Sequence, residues 1–122
     1  MQLFNTRGHQ LRQFTPLHPD SVRMYSCGPT VYNHAHIGNL SSYIYADILR
    51  RTLKQCFGTT RHVMNITDVD DKTIRDSLAR YPDQPPRQAL QRLTDHYQQI
   101  FLDEMRAVGN NIDDITLVKA TD

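Results

Sequence analysis

The stretch from Arg23 to Ile66 restricts what this chain can fold into more than any other part of it. Arg23 to Cys27 is a short run with apolar Met24 and β-favouring Tyr25, closed by Gly28-Pro29, which predicts a strand ending in a turn. From Ile37 onward, Leu40, Ile44, Ile48 with Leu49, Leu53, and Cys56 with Phe57 recur at helical spacing, and Gly58 stands where a carboxyl-terminal cap belongs. Thr59 to Ile66 then alternates, with His62, Met64 and Ile66 on one side and Val63 and Asn65 on the other. A strand, a crossover helix and a second strand make a parallel pair with a right-handed connection. Ligands of such sheets lie beyond the carboxyl ends of the strands, where the crossover helix also begins. Three polar segments emerge there: Cys27-Gly28, His36 to Asn39, and Asn65 to Asp71.

On either side of this unit the pattern is simpler. Met1 to Thr15 predicts two short strands around Arg7 to Gln10, with Leu3, Leu11, Phe4 and Phe14 as apolar faces that would pack against the central sheet. Pro16 and Pro19 end that ribbon. Lys72 to Tyr81, with Ile74 and Leu78 four apart, predicts a short helix, and Pro82 to Pro86 breaks it. From Arg87 a second long helix places Leu90, Leu93, Tyr97, Phe101, Met105 and Val108 on one face, with Gly109 as its stop. Ile112 to Val118 is compatible with a short strand or an extended tail. Within an α/β fold, the expected division is 1–81 for the strand–helix–strand core and 82–122 for a helical segment.

With 122 residues there is room for one core, and a net charge of +1 supplies no long-range field to recruit a polyanion. Arg50, Arg51, Lys54 and Arg61 could form a local basic patch, but a solvated helix face is the preferred reading of them. Neither a signal segment nor a long apolar run occurs, so a cytoplasmic chain is expected. Two cysteines make no disulfide framework, and Cys56, on the apolar side of the helix, is expected to be buried.

The polar segments suggest chemistry by position. His36 and Asn39, three apart at a helix start, share a face beside backbone N–H groups that favour phosphate. His36 can donate to a phosphate oxygen, Asn39 can do so uncharged, and Gly38 permits close approach of a nucleotide. The same two side chains could instead cap the helix. Asp70 and Asp71 suit a helix start, with Thr67 or Asp68 as a possible cap.

Three motifs carry a family resemblance: Tyr25-Ser-Cys-Gly-Pro-Thr-Val-Tyr32, His36-Ile-Gly-Asn39 and Asn65-Ile-Thr-Asp-Val-Asp-Asp-Lys72. In this order and context the chain resembles the amino-terminal part of cysteinyl-tRNA synthetase, a class I aminoacyl-tRNA synthetase. The resemblance implies an incomplete Rossmann-like (HUP-type) core and ATP-dependent formation of cysteinyl-adenylate, followed by transfer to tRNA(Cys). It implies that His36 and Asn39 act in catalysis, that His36, Gly38 and Asn39 bind ATP, and that Asp68, Asp70 and Asp71 could orient the substrate ammonium or hold the Mg2+ on ATP. Gly28, Thr30, Thr67 and Asp68 would meet L-cysteine, and Cys27 would be one ligand of a zinc ion that selects thiol over hydroxyl.

The departures are equally specific. Ser41 stands where many members have an Arg, the Lys-Met-Ser-Lys-Ser loop is absent, and the other zinc ligands of the family have no counterpart here. An isolated chain of this kind is expected to be inactive and to hold no zinc by itself. A truncated chain, a split or degenerate gene and a short paralogue are all compatible with this. So are a nucleotide-, tRNA- or partner-binding module, self-association through surface left by a missing half, and a piece of the related ligase that joins cysteine to a pseudo-disaccharide.

Overall fold

A computed structural model describes all residues, Met1–Asp122. In chain order the elements are β1 (Gln2–Asn5), β2 (Gln10–Gln13), β3 (Ser21–Ser26), α1 (Ile37–Phe57), β4 (Thr59–Ile66), α2 (Asp71–Arg80), α3 (Pro86–Ala107) and β5 (Ile115–Lys119). A 3-10 turn at Ile112–Asp114 leads into β5. The central sheet has the order β3-β4-β5 and is parallel throughout, with Tyr25 beside Val63 and Asn65 beside Val118. The strand–helix–strand reading holds, the fold is α/β with an incomplete Rossmann-like core, and Ile115–Lys119 is a third strand rather than a tail.

The alternation along β4 decides which face of the sheet is inside. His62, Met64 and Ile66 are 1%, 1% and 0% exposed, and the last two pack with Tyr43 of α1 and Leu93, Phe101 and Met105 of α3. Both long helices therefore cover one face. The break at Pro82–Pro86 is the turn between α2 and α3, and residues on both sides of it share this core. On the opposite face Tyr25 is 64% and Val118 40% exposed, with Arg23 and Arg61 also open to solvent. Parallel sheets are usually covered on both sides, so this bare face is unusual.

Several expected placements differ. The hairpin β1–β2 forms its own antiparallel sheet and does not lie on the central one; Phe4 and Leu11 stay exposed, and Phe14 meets Phe57 edge-on at 5.5 Å. Its strands alternate with Gln2, Asn5, Gln10 and Gln13, so neither face is apolar enough to cover a sheet. Cys56 is exposed, not buried. It lies off the face that α1 turns inward, which runs Tyr43, Asp47, Arg50, Leu53, while Ile37 and Ile48 point outward. Likewise α2 buries Thr73 and Ser77 and leaves Ile74 and Leu78 part-exposed. Small hydroxyl side chains let α2 approach α3 closely, and both satisfy themselves locally: Thr73 Oγ1 donates to the Asp70 carbonyl and Ser77 Oγ to the Ile74 carbonyl.

Candidate nucleotide site

Where β3 and β4 end, the parallel ladder continues for one more step. The Thr67 N–H donates to the Pro29 carbonyl at 2.9 Å, and the Val31 N–H to the Thr67 carbonyl at 3.1 Å, so Thr30 lies beside Thr67. Gly28 is required by crowding, since a Cβ there would lie 1.8 Å from the Asn65 carbonyl oxygen. Asn65 ties the segment together: its Oδ1 accepts from the Gly28 N–H at 3.1 Å and the Tyr25 hydroxyl at 2.9 Å, and its Nδ2 donates to Thr67 Oγ1 at 3.3 Å. Asn65 stands in the third motif without a role assigned from sequence; its three bonds make it the brace of this corner.

The start of α1 is a closed capping box. The His36 ring Nδ1 accepts from the Gly38 N–H at 3.1 Å and the Asn39 N–H at 3.3 Å, and Asn39 Oδ1 accepts from the His36 N–H at 3.3 Å. Because Nδ1 accepts, a neutral His36 ring carries its proton on Nε2. The ring also occupies the space over Gly38, where a Cβ would lie 3.0 Å from His36 Cε1. Two amides expected to be open to phosphate are thus engaged by the residue's own side chain. Ser41 Oγ donates to the Gly38 carbonyl at 2.9 Å and brings no charge.

Beside this cap lies a hollow of about 380 Å³ lined by Thr30, Tyr32, His34, His36, Asn39, Tyr43, Lys72 and Phe101, among others. Lys72, in the first turn of α2, is the one lysine or arginine in its lining, and its Nζ lies 5.4 Å from the centre of the Tyr32 ring. The third motif ends on Lys72, whose sequence signal for a site role is its place just after the Asp70 cap, in the first turn of α2. Tyr43 is buried, and burial, then the Cys27 charge, push its hydroxyl up to about 12. It is a neutral donor at physiological pH.

Not every expected residue reaches this hollow. Cys27 is exposed beside it, and Gly28 and Thr67 form its supporting corner. Asp68 faces elsewhere: it is 6% exposed, lines a second hollow of about 230 Å³ with Lys119, Asp95 and Thr94, and accepts from Thr121 Oγ1. Asp70, rather than Thr67 or Asp68, caps α2, accepting from the Thr73 N–H at 2.8 Å. No three His, Cys, Asp or Glu side chains converge as a metal site. Cys27 supplies one of the three protein ligands that a catalytic zinc ordinarily has, so these residues alone do not fit that ion.

The supposed basic patch is internally neutralised. Arg50 is 2% exposed, donating to Asp47, to Asp114 Oδ2 at 2.7 Å and to the Asn111 carbonyl at 3.2 Å. Arg51 pairs with Asp47 at 2.6 Å, and Lys54 with Asp114 at 3.3 Å. Buried Arg50 fastens α1 to the segment before β5, whereas Arg51 and Lys54, with side chains 55% and 59% exposed, and exposed Arg61 stand at the solvated surface as the simpler reading expects. The paired cations hold the Asp114 carboxyl below its ordinary value, chiefly by the hydrogen bond from Arg50.

Comparison with known proteins agrees with this architecture. Residues 13–121 match the catalytic domain of class I (C) tRNA synthetases. The chain is 44% identical over its whole length to a cysteine–tRNA ligase of Koribacter versatilis, covering 23% of that protein. It is 42% identical over 106 residues to one of Solibacter usitatus, covering 87% of this chain and 22% of the relative. A Leptospira interrogans cysteine–tRNA ligase is 39% identical over 112 residues, with 92% and 22% covered. The chain thus spans less than a quarter of the length of these curated relatives. No helix is long and apolar enough to cross a membrane. A match over residues 13–121, on a parallel sheet with a polar cap at its crossover helix, places the chain in the class I tRNA synthetase family, where it corresponds to the amino-terminal catalytic region of cysteine–tRNA ligase.

Proposed function

We propose that the hollow at the start of α1 is the ATP site of a cysteine-activating catalytic region that works in the cytoplasm on L-cysteine and tRNA(Cys). The observation that carries this reading is the meeting of Thr30, His36, Asn39 and Lys72 around one cavity at the carboxyl ends of parallel strands. Nε2–H of His36 and the Asn39 amide are the polar donors for phosphate oxygens, and Lys72 is the cation beside them. When phosphate arrives, the His36 ring can leave the Gly38 and Asn39 amides, and those two N–H groups then face the anion with the helix dipole behind them. Mg2+ would accompany the triphosphate and shield its charge.

Cysteine would bind at the neighbouring corner, where Gly28, Thr30 and Thr67 are held by Asn65 and the Cys27 thiol is open. Discrimination by zinc at Cys27 needs further protein ligands from outside residues 1–122. Asp68 is turned to the second hollow, where it accepts from Thr121 Oγ1. Lys72 is a single cation where adenylate formation demands several, so residues 1–122 bind nucleotide without turning it over.

Titrating ATP–Mg2+ into the isotopically labelled chain tests this directly. The amide signals of Gly38, Asn39 and Lys72 should shift together, while ATP–pyrophosphate exchange stays at background. Unshifted signals at millimolar ATP would remove the nucleotide reading, and exchange activity from these residues alone would refute the division of labour.

A further inference from the structure

Residues 33–35 join the Cys27–Tyr32 segment that follows β3 to α1, yet they make no backbone–backbone hydrogen bond. Their tertiary hydrogen bonds all come from one side chain on a distant helix. Glu104 of α3 receives His34 Nδ1 on Oε1 at 2.7 Å and the Ala35 N–H on Oε2 at 3.1 Å. Both carboxylate oxygens are spent on the two residues directly before His36. The remaining bond in the loop is local, from the His34 N–H to Asn33 Oδ1 at 2.9 Å.

Glu104 can do this because α3 is firmly seated around it. Phe101 and Met105 are 3% and 1% exposed, and Phe101 meets the Tyr43 ring edge-on at 5.2 Å while lining the hollow. One turn further, Tyr97 meets the His34 ring edge-on at 5.9 Å. Tyr97, Phe101 and Glu104 lie at i, i+4 and i+7, a single stripe that spans the loop. A carboxylate accepts only, so His34 must carry its proton on Nδ1, whereas His36 keeps Nδ1 bare to cap α1. Two histidines two residues apart are thus held in opposite states at the same ring atom.

We propose that Glu104 is a positioning residue for the nucleotide hollow: by clasping His34 and Ala35 it fixes the loop so that His36 and Asn39 present their donors at a set place. This rests on the ATP reading above. The effect on ligand acts through the loop, since Glu104 itself does not line the hollow.

The test uses the 122-residue chain, its Glu104→Ala and Glu104→Gln variants, histidine ring nitrogen spectra, amide exchange and ATP–Mg2+ titration. Glu104→Ala should abolish the protonated-type Nδ1 signal of neutral His34 and blur the bare-type Nδ1 signal of His36. It should speed exchange from Ala35 to Leu40 and weaken ATP by about tenfold, the scale of one or two charge-assisted hydrogen bonds. Glu104→Gln keeps an acceptor for the Ala35 N–H and should restore part of the affinity and the slow exchange. Unchanged histidine signals and loop exchange in Glu104→Ala overturn the clasp. Exchange that rises evenly over all elements overturns it too, because it marks loss of the core instead. If the parent chain binds no ATP while loop exchange responds as described, the clasp stands, the nucleotide reading fails, and the site role of Glu104 falls with it.

Discussion

The two ends of α1 are held by opposite means. At the carboxyl half, Arg50 is buried against Asp47 and Asp114, Arg51 and Lys54 add outer pairs, and the helix cannot move without stranding charge in a low-dielectric interior. At the amino end Ile37 is 80% exposed, and the hold consists of a capping box and the Glu104 clasp on the preceding loop. The buried ion pairs lie away from the hollow, and the helix start beside it is held by hydrogen bonds that a ligand can exchange for its own.

The comparison breaks most visibly at Arg50. Arg50→Ala leaves Asp47 buried with only Arg51 and should cost about 3–5 kcal/mol in denaturant unfolding. Replacing both Arg50 by Met and Asp47 by Leu should recover most of that loss, and failure to recover would mean that the network shapes the fold rather than merely balancing its own charge.

Acid should loosen the same half of the molecule. His62 is 1% exposed with Ser26 Oγ 2.8 Å from its Nε2, and burial first, then the Arg50 charge, hold its pKa below the ordinary value near 6.5, against a smaller opposing pull from Asp47. The folded chain therefore takes up this proton at lower pH than the unfolded chain. Stability is whole above pH 6.5 and is lost as pH falls toward the folded value. Melting temperatures measured between pH 7.5 and 5 should fall, and His62→Gln should flatten that slope.

At the amino end the stability effects are smaller and the binding effects larger. His36→Ala removes the cap and should cost about 1 kcal/mol, with His36→Asn restoring the fold but not ATP binding. Lys72→Ala, on an exposed first turn, should change stability by less than about 0.5 kcal/mol yet weaken ATP several-fold in the same titration. Equal losses of stability at both ends would dissolve the contrast.

Much of this was legible in order and type. Gly58 and the alternation of His62, Met64 and Ile66 predict the end of α1 and the inward face of β4, and both are observed, with the Gly58 N–H bonded to the Lys54 carbonyl. Helix faces were less legible. Ile37, Ile48 and Cys56 have apolar spacing but stand outside, whereas Asp47, Arg50, Thr73 and Ser77 are inside. Periodicity assumes that the buried side is the apolar side, and ion pairing or close helix approach overrides it. Asp68 is the same lesson at the site: its motif suggests a substrate contact, and the turn after β4 carries it to the other hollow.

The pattern of strand, glycine, helix and strand by itself determined the parallel unit and the end of the sheet at which polar groups gather, because crossover handedness and residue alternation are local properties of the chain. Only the tertiary structure decided that Glu104 reaches back to His34 and Ala35, that Lys72 joins His36 and Asn39, and that Asp114 buries Arg50. Those pairs are separated by tens of residues, and their meeting depends on how α2 and α3 pack on one face of the sheet, which no spacing rule encodes.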